Sequence, residues 1–396
     1  MVKEKWISTH IKDIATIYGR IGFRGYTKQD IVKPGFGAIS LSPSNIKDGK
    51  VTYAPATYIS WEKYEESPEI KLSDGDVVLV KTGSTFGKTA YIDRLPWPTT
   101  LNPQIVVFKK LKIHAKLFAY FMASKNIQEQ ISSVIVGGAI PTLSQEQVYA
   151  FDIVYPPDAK EQAAIAEALS DVDNLISSLQ KLIKKKKAIK QGAMQELLTG
   201  KKRLPGFSGE WKKYKVGEIG VVVTGSTPPR SNRNLWGGNF PWVSARDFIG
   251  KYISSSYEHV TSEGKNYCRI LPAESVLVTC IASIGLNGIA AIPLATNQQI
   301  NAIVCNNDFY NEIVYYSLVY NKEKLKLMAG QTAVPIISKQ QFEEFEILLP
   351  RNVLEQKAIA KVLSDMDCEI EQLEKKLAKY QQIKQGMMQE LLTGRI

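Results

Sequence analysis

Residues 159–200 return at 353–394 with a constant offset of 194 positions, and this internal repeat constrains the fold more than any other feature of the chain. Aligned without gaps, 24 of the 42 positions are identical. Glu161-Gln162 matches Glu355-Gln356, and Leu169-Ser170-Asp171-Val172-Asp173 matches Leu363-Ser364-Asp365-Met366-Asp367. Lys190 through Gly200 matches Lys384 through Gly394. The likeness continues more weakly outward: Ile140-Pro141-Thr142-Leu143-Ser144 with Val334-Pro335-Ile336-Ile337-Ser338, Pro156 with Pro350. Further back the offset drifts, as loop insertions make it, through Asn102-Pro103-Gln104-Ile105 with Asn297-Gln298-Gln299-Ile300, and Trp6 with Trp211. The chain therefore alternates a divergent segment with a near-identical one, twice.

The near-identical segments read as helices. In the first, Ile165, Ala168, Val172, Leu175, Leu179, Leu182 and Ile189 recur at spacings of three and four, with no proline between them. Acids at Asp158 and Glu161 open the segment, bases from Lys184 to Lys190 crowd its end, and Gly200 stops it. Forty such residues span about 60 Å at 1.5 Å per residue. The second copy carries Ile359, Met366, Leu373, Tyr380 and Ile383 on the equivalent face. One such helix cannot bury its stripe alone, whereas two copies in one chain can pack as an intramolecular coiled coil. The intervening residues let the second helix return antiparallel. The expected seam is Ile165, Val172, Leu179, Leu182, Ile189, Ile359, Met366, Leu373, Tyr380 and Ile383. Lys184 to Lys187 are expected on a solvated face, since the second copy lacks that run.

The divergent segments are mixed. Asp76–Lys81, Val276–Thr279, Ile105–Phe108 and Ile300–Val304 are short β-branched runs and read as strands. Stretches 114–131 and 309–328 read as helices. The fold class is thus α+β (mixed): two globular α/β domains separated by two long helices in an antiparallel intramolecular coiled coil, with a pseudo-two-fold internal repeat. The expected limits are 1–157, 158–203, 204–352 and 353–396.

Fifty Lys and Arg oppose 39 Asp and Glu, for a formal charge of +11. An excess of that size suggests a polyanionic partner, nucleic acid or an anionic membrane face. Four cysteines without CxxC spacing and three scattered histidines give no zinc pattern or disulfide framework, and fit a reducing cytoplasm. The charged Met1–Trp6 start predicts no secretory leader, and no apolar run is long enough to span a membrane. There is no GxxxxGK[ST], no GxGxxG after a strand and no Gly-x-Ser-x-Gly elbow. Pro68-Glu69-Ile70-Lys71 matches only part of a nuclease carboxylate–lysine pattern, and the second half has no copy. The expectation is a non-catalytic protein with no metal and no cofactor of its own. Its duplicated spacers hold two different readers, and on DNA such a pair suits two short half-sites around an unread gap.

With these motifs the chain resembles the specificity subunit of a Type I restriction–modification enzyme. The resemblance rests on the paired Glu-Gln, the two Leu-Ser-Asp-x-Asp segments (taken as turns), the Lys-Gln-Gly-x-Met-Gln-Glu-Leu-Leu-Thr-Gly helix ends, and the linker Arg203–Trp211. It also rests on Thr224-Gly225-Ser226-Thr227-Pro228 and Gly238–Ser244. It implies two target recognition domains, each reading half of a split double-stranded DNA site. It also implies helical regions that set the gap and dock methyltransferase subunits, two of them expected, with restriction–translocase subunits joining for cleavage. The methyl donor and ATP would then belong to those partners. The first domain departs from the pattern, with Tyr18-Gly19-Arg20-Ile21-Gly22 where the second has Thr224–Pro228.

Arginine can pair bidentately with guanine, serine and threonine can serve base or phosphate, and lysine suits phosphate. On that basis the candidate DNA contacts are Arg20, Arg24, Lys81, Thr82, Ser84, Thr85 and Lys88 in the first domain. In the second they are Arg230, Arg233, Ser244, Arg246 and Thr279. Trp242 and Phe240 are expected in the core. Glu161, Gln162, Glu355 and Gln356 are the candidate partner-docking residues. Two other readings stand beside this one: a self-sufficient DNA enzyme, and a coiled-coil scaffold without sequence-specific DNA binding.

Overall fold

The computed structural model describes residues 6–20, 22–134, 142–330 and 334–394. Of the sequence-matched segments, Ile140 and Pro141 lie outside them, as does Ile21. The chain divides into two compact units, Met1–Gln180 with Lys376–Ile396, and Lys181–Lys375. Each takes the first part of one long helix and the last part of the other.

The long helices are Ala159–Leu197 and Val353–Leu391. Both start on the same device. Asp158 Oδ1 accepts from Lys160 N at 2.9 Å, and Asn352 Oδ1 accepts from Leu354 N at 2.8 Å, so a side chain satisfies a backbone donor that the first turn leaves open. Both end on a left-handed glycine, Gly200 at φ 68° and Gly394 at φ 67°. A Cβ at Gly200 would stand 3.2 Å from the Trp211 ring, and one at Gly394 3.0 Å from the Trp6 ring, so glycine is required by conformation and by space. The Leu-Ser-Asp-x-Asp segments, expected as turns, are continuous helix.

The buried face follows 3.6 residues per turn and not the strict heptad. Ile165, Leu179 and Ile359 are buried, and Val172, Met366, Leu373 and Tyr380 are half-buried. Leu182 (38%), Ile189 (47%) and Ile383 (37%), expected in the seam, are exposed. A straight α-helix drifts ~20° per heptad against a 3.5-residue repeat, so after three heptads the buried stripe has moved round by most of a residue. Ile183 is buried where Leu182 was expected, and the half-buried Lys190 and Lys384 follow the exposed Ile189 and Ile383.

In the first unit, strands Thr16–Gly19, Ile105–Lys109, Val77–Val80 and Thr89–Tyr91 form an antiparallel sheet in that order. A second sheet runs Thr99–Leu101, Gly37–Leu41, Thr57–Ser60, Ile31–Val32, its first pair parallel. The second unit repeats the plan. Gly220–Thr224, Ile300–Cys305, Val276–Thr279, Asn287–Ala290 and Tyr252–Ile253 form one sheet; Glu258–Val260, Trp236–Val243, Leu294–Thr296 and Ile270–Leu271 form the other. A two-stranded ribbon beside the long helices completes each unit, Ile7–His10 with Asp152–Tyr155 and Trp211–Lys215 with Glu346–Pro350. The stretches expected as single helices are each broken in two. Ser124, in extended conformation, separates Ala115–Ala123 from Lys125–Ser133, and Asn321 separates Asn311–Tyr320 from Lys322–Met328.

One face of each first sheet packs on helices. In the first unit Val77, Leu79, Val106 and Phe108 meet Leu117, Phe118 and Phe121, and the same core takes in Ile165, Ala166, Leu169 and Leu392 of the long helices. In the second unit Val276, Val278 and Ile303 meet Ile313, Val314 and Tyr316, with Met194, Leu197, Ile359, Ala360 and Leu363. The opposite faces pack on the second sheets, through Val78, Val80 and Val107 with Leu41 and Leu101, and through Leu277 and Ala302 with Val243 and Leu294.

Candidate nucleic-acid interface

The repeated motifs build one junction twice. In the first unit Asp173 accepts a hydrogen bond from Tyr120 Oη at 2.8 Å and pairs with Lys384 at 2.7 Å. In the second, Asp367 accepts from Tyr316 Oη at 2.7 Å and pairs with Lys190. Ser170 Oγ accepts from Lys116 at 2.5 Å; Ser364 Oγ accepts from Lys251 at 3.2 Å. Leu169 and Leu363 are wholly buried beside them. Burial, then the adjacent aspartate, pushes the Tyr120 and Tyr316 phenols well above their ordinary value, so both donate throughout the physiological range. One aspartate thus ties a domain helix to both long helices, in each unit.

The same contacts show the helix direction. In the second unit Lys190 meets Asp367, while Lys186 and Lys187, earlier on the first helix, meet Glu369 and Glu374, later on the second, at 2.6 Å each, so the two helices run antiparallel. In the first unit Trp6 lies on Gly394 and donates from Nε1 to Glu161 at 3.3 Å, while Asp173 meets Lys384, again antiparallel. Half of the 184–187 lysine run is therefore engaged by the other helix.

This geometry corrects the expected docking residues. Gln162 Oε1 accepts from His114 N at 2.8 Å and its Nε2 donates to Pro156 O at 2.8 Å. Gln356 does the same with Tyr310 N at 2.7 Å and Pro350 O at 2.9 Å. Both are buried and stitch helix to ribbon. Glu355 is wholly buried and takes a two-pronged ion pair from Arg203 at 2.7 and 2.8 Å. These three residues present nothing to a partner. Glu161 is half-buried at the Trp6 contact.

Several expected DNA contacts are also internal. The Arg20 guanidinium is buried and donates to Leu101 O at 2.9 Å, Arg24 O at 3.2 Å and Thr100 Oγ1 at 3.2 Å. It braces the two sheets of its unit. Thr279 is wholly buried and closes its own loop, accepting from Leu286 N at 3.0 Å and donating to Ser283 O. Arg24 is held by Glu66 O and Glu69. Ser244 caps a short turn on Asp247. Lys71 of the partial nuclease pattern turns to Glu65 at 2.5 Å.

The loop 81–88 lies at the end of the first sheet. Lys81 N donates to Gln104 O, Lys81 O accepts from Leu143 N, and Thr82 bridges Thr142. Ser84, Lys88 and Gln104 are exposed there, with Lys81, Thr82 and Thr85 half-buried. The second unit has the matching bridge, Ile281 with Ile336, but apolar residues replace the threonines. Its exposed arginines lie elsewhere. Arg230, Arg233, Arg246 and Arg269 are all exposed, and Arg230 and Arg246 share Glu258. Trp242 is buried as expected, and Phe240 is half-buried beneath Lys265 at 4.4 Å. Glu258 and Trp236 carried no signal in the sequence, because the paired strands Trp236–Val243 and Glu258–Val260 bring them to the arginines. The Tyr120–Asp173–Lys384 junction did leave one, since Asp173 and Lys384 each recur 194 positions away in the second copy.

Among the described residues no cluster of His, Cys, Asp or Glu is arranged to hold a metal ion, and no helix is long and apolar enough to cross a membrane. Fold and site together define a duplicated protein of two mixed recognition-type modules on paired helices. The family model of the Type I restriction modification DNA specificity domain matches twice, over residues 3–191 and 208–385, and the chain belongs to that family. It is 27% identical over 414 residues to a putative Type I restriction enzyme MjaX specificity subunit of Methanocaldococcus jannaschii, covering all of this chain and 94% of that protein. It is 30% identical over 146 residues to the HindI specificity subunit of Haemophilus influenzae, 35% of this chain and 32% of that one. The crystal structure of a Type I S subunit from M. genitalium matches with TM-score 0.66 at 17% identity, over 99% of this chain and 98% of that one, a likeness of fold.

Proposed function

We propose that this chain is the DNA-reading subunit of a Type I restriction–modification complex and that each unit reads one block of a bipartite site. One observation carries the reading. The junction of domain to helices is built from the same residue types twice, Tyr120–Asp173–Lys384 and Tyr316–Asp367–Lys190, while the exposed loops differ. Constant mounting with variable loops is what two readers on one spacer require. The spacer sets the unread gap.

Methyltransferase subunits dock on helix positions that are exposed yet identical in both copies: Asp171 and Asp365, Gln191 and Gln385, Gln195 and Gln389. Exposed identities of this kind have no packing role to preserve them. Catalysis, the methyl donor and ATP belong to the methyltransferase and restriction subunits. The test is a map of methylated bases in cells expressing this chain with its methyltransferase partner, against the partner alone. Two fixed blocks around a constant gap are expected only with this chain, and exchanging residues 204–352 for those of a relative should change one block. A continuous motif, or methylation indifferent to the chain, overturns the reading.

A further inference from the structure

Three separate segments of the second unit deliver charge to one point. Arg230 comes from the loop after Gly220–Thr224, Arg246 from the short turn Ala245–Asp247, and Glu258 from the strand paired with Trp236–Val243. Glu258 accepts from Arg230 through both oxygens, and its Oε2 stands 3.1 Å from Arg246 Nη2. Each guanidinium also lies on aromatic rings. Arg230 is 3.9 Å above Trp236 and 4.8 Å from Trp242; Arg246 is 5.1 Å from Tyr257. Trp242 is itself fixed, buried and donating from Nε1 to Ser226 O at 2.9 Å.

This arrangement gives the fold little. The side chains of Arg230, Arg246 and Glu258 are 52, 55 and 32% exposed, and ion pairs in that setting contribute little to stability. Two cations on one carboxylate leave one positive charge over. What the arrangement does provide is order: a guanidinium held against two indoles set edge to face has already lost much of the freedom that binding would remove. Its fork matches O6 and N7 of guanine.

Resting on the DNA-reading function proposed above, we propose that Arg230 reads a guanine in the block recognised by the second unit, and that Glu258 is the specificity-determining residue beside it. In the free protein Glu258 occupies the Arg230 fork. On DNA the guanine edge replaces it, and Glu258 keeps Arg246, so the carboxylate is never left alone. A backbone phosphate fits the same fork, but its negative charge is repelled by the adjacent carboxylate, whereas the guanine edge is neutral. Glu258 thereby lowers the cluster from two positive charges to one and suppresses attachment to DNA of the wrong sequence.

The test uses the full chain with its methyltransferase partner, as wild type, Glu258→Gln and Arg230→Lys. The wild type is expected to show a G·C pair in the second block. Arg230→Lys keeps the charge and loses the fork, so preference at that pair should fall by at least ~5-fold, the lower bound for one bidentate contact. Glu258→Gln should blur the same pair and add methylation at non-sites. It should also steepen the log–log salt dependence of DNA binding by about one, for one more phosphate engaged. The first block stays unchanged in both and reports that folding and docking are intact. A second block without a G·C pair, both variants matching the wild type, or loss at both blocks together overturns the proposal; the last marks the cluster as support for the fold. A wild type with no split motif is the failure of the DNA-reading function itself.

Discussion

Arg203 and Glu355 show how one side chain separates a structural role from a surface one. A carboxylate with no exposure is tolerable only with its charge met, and the Arg203 fork meets it while lying over the Trp211 ring at 5.9 Å. Arg203→Met should therefore cost about 3–5 kcal/mol in urea unfolding of the second unit, because it strands a buried charge. The double variant Arg203→Met with Glu355→Leu should recover most of that loss. A double variant as unstable as the single one would show that Arg203 acts by packing alone. The first unit settles the same position differently. There Glu161 is half-buried and takes the Trp6 indole N–H, whereas the Trp211 indole nitrogen is buried without a hydrogen-bond partner. Residue identity in the repeat, Glu161 with Glu355, thus conceals two different local chemistries.

The long helices show what is legible in a sequence and where legibility stops. Their existence and ends follow from periodicity and the terminal glycines, which are local signals, and their pairing from the repeat of the stripe 194 positions on. Which side chains face inward does not, because a small rotation per turn accumulates over a long straight helix. Ile183→Ala should cost about 2–4 kcal/mol and Leu182→Ala less than about 1, although the heptad pattern assigns the larger loss to Leu182. Comparable losses for the two would restore the heptad seam. The strands Val77–Val80 and Val276–Thr279 were legible because a strand buried on both faces reads as a continuous Val- and Leu-rich run. The helix breaks at Ser124 and Asn321 were not, since neither residue forbids a helix and only packing of the two pieces selects the bend. Arg20 and Thr279 failed as surface candidates for a related reason. Residue type says what a side chain can bond, while burial, a property of contacts far apart in sequence, decides whether the partner is DNA or the protein's own backbone.

At the scale of the whole molecule the repeat makes a prediction that neither unit makes alone. Each unit owns one copy of the aspartate junction: Asp173 with Tyr120 and Lys384, Asp367 with Tyr316 and Lys190. Changing either to asparagine keeps a hydrogen-bond acceptor for the tyrosine but removes the charge that holds the lysine of the opposite helix. The mounting of that domain on its helices loosens while its core, packed through Leu169 or Leu363, remains. If each unit reads one block, Asp173→Asn should blur one block of the methylated motif and Asp367→Asn the other. In each variant the second block keeps wild-type sharpness, and the gap keeps its length. The readout is the base frequency at every position of the motif, collected from the same cells for both variants. Equal blurring of both blocks by either variant would mean that the two junctions bear one load in common, and independent reading by the two units would have to be given up.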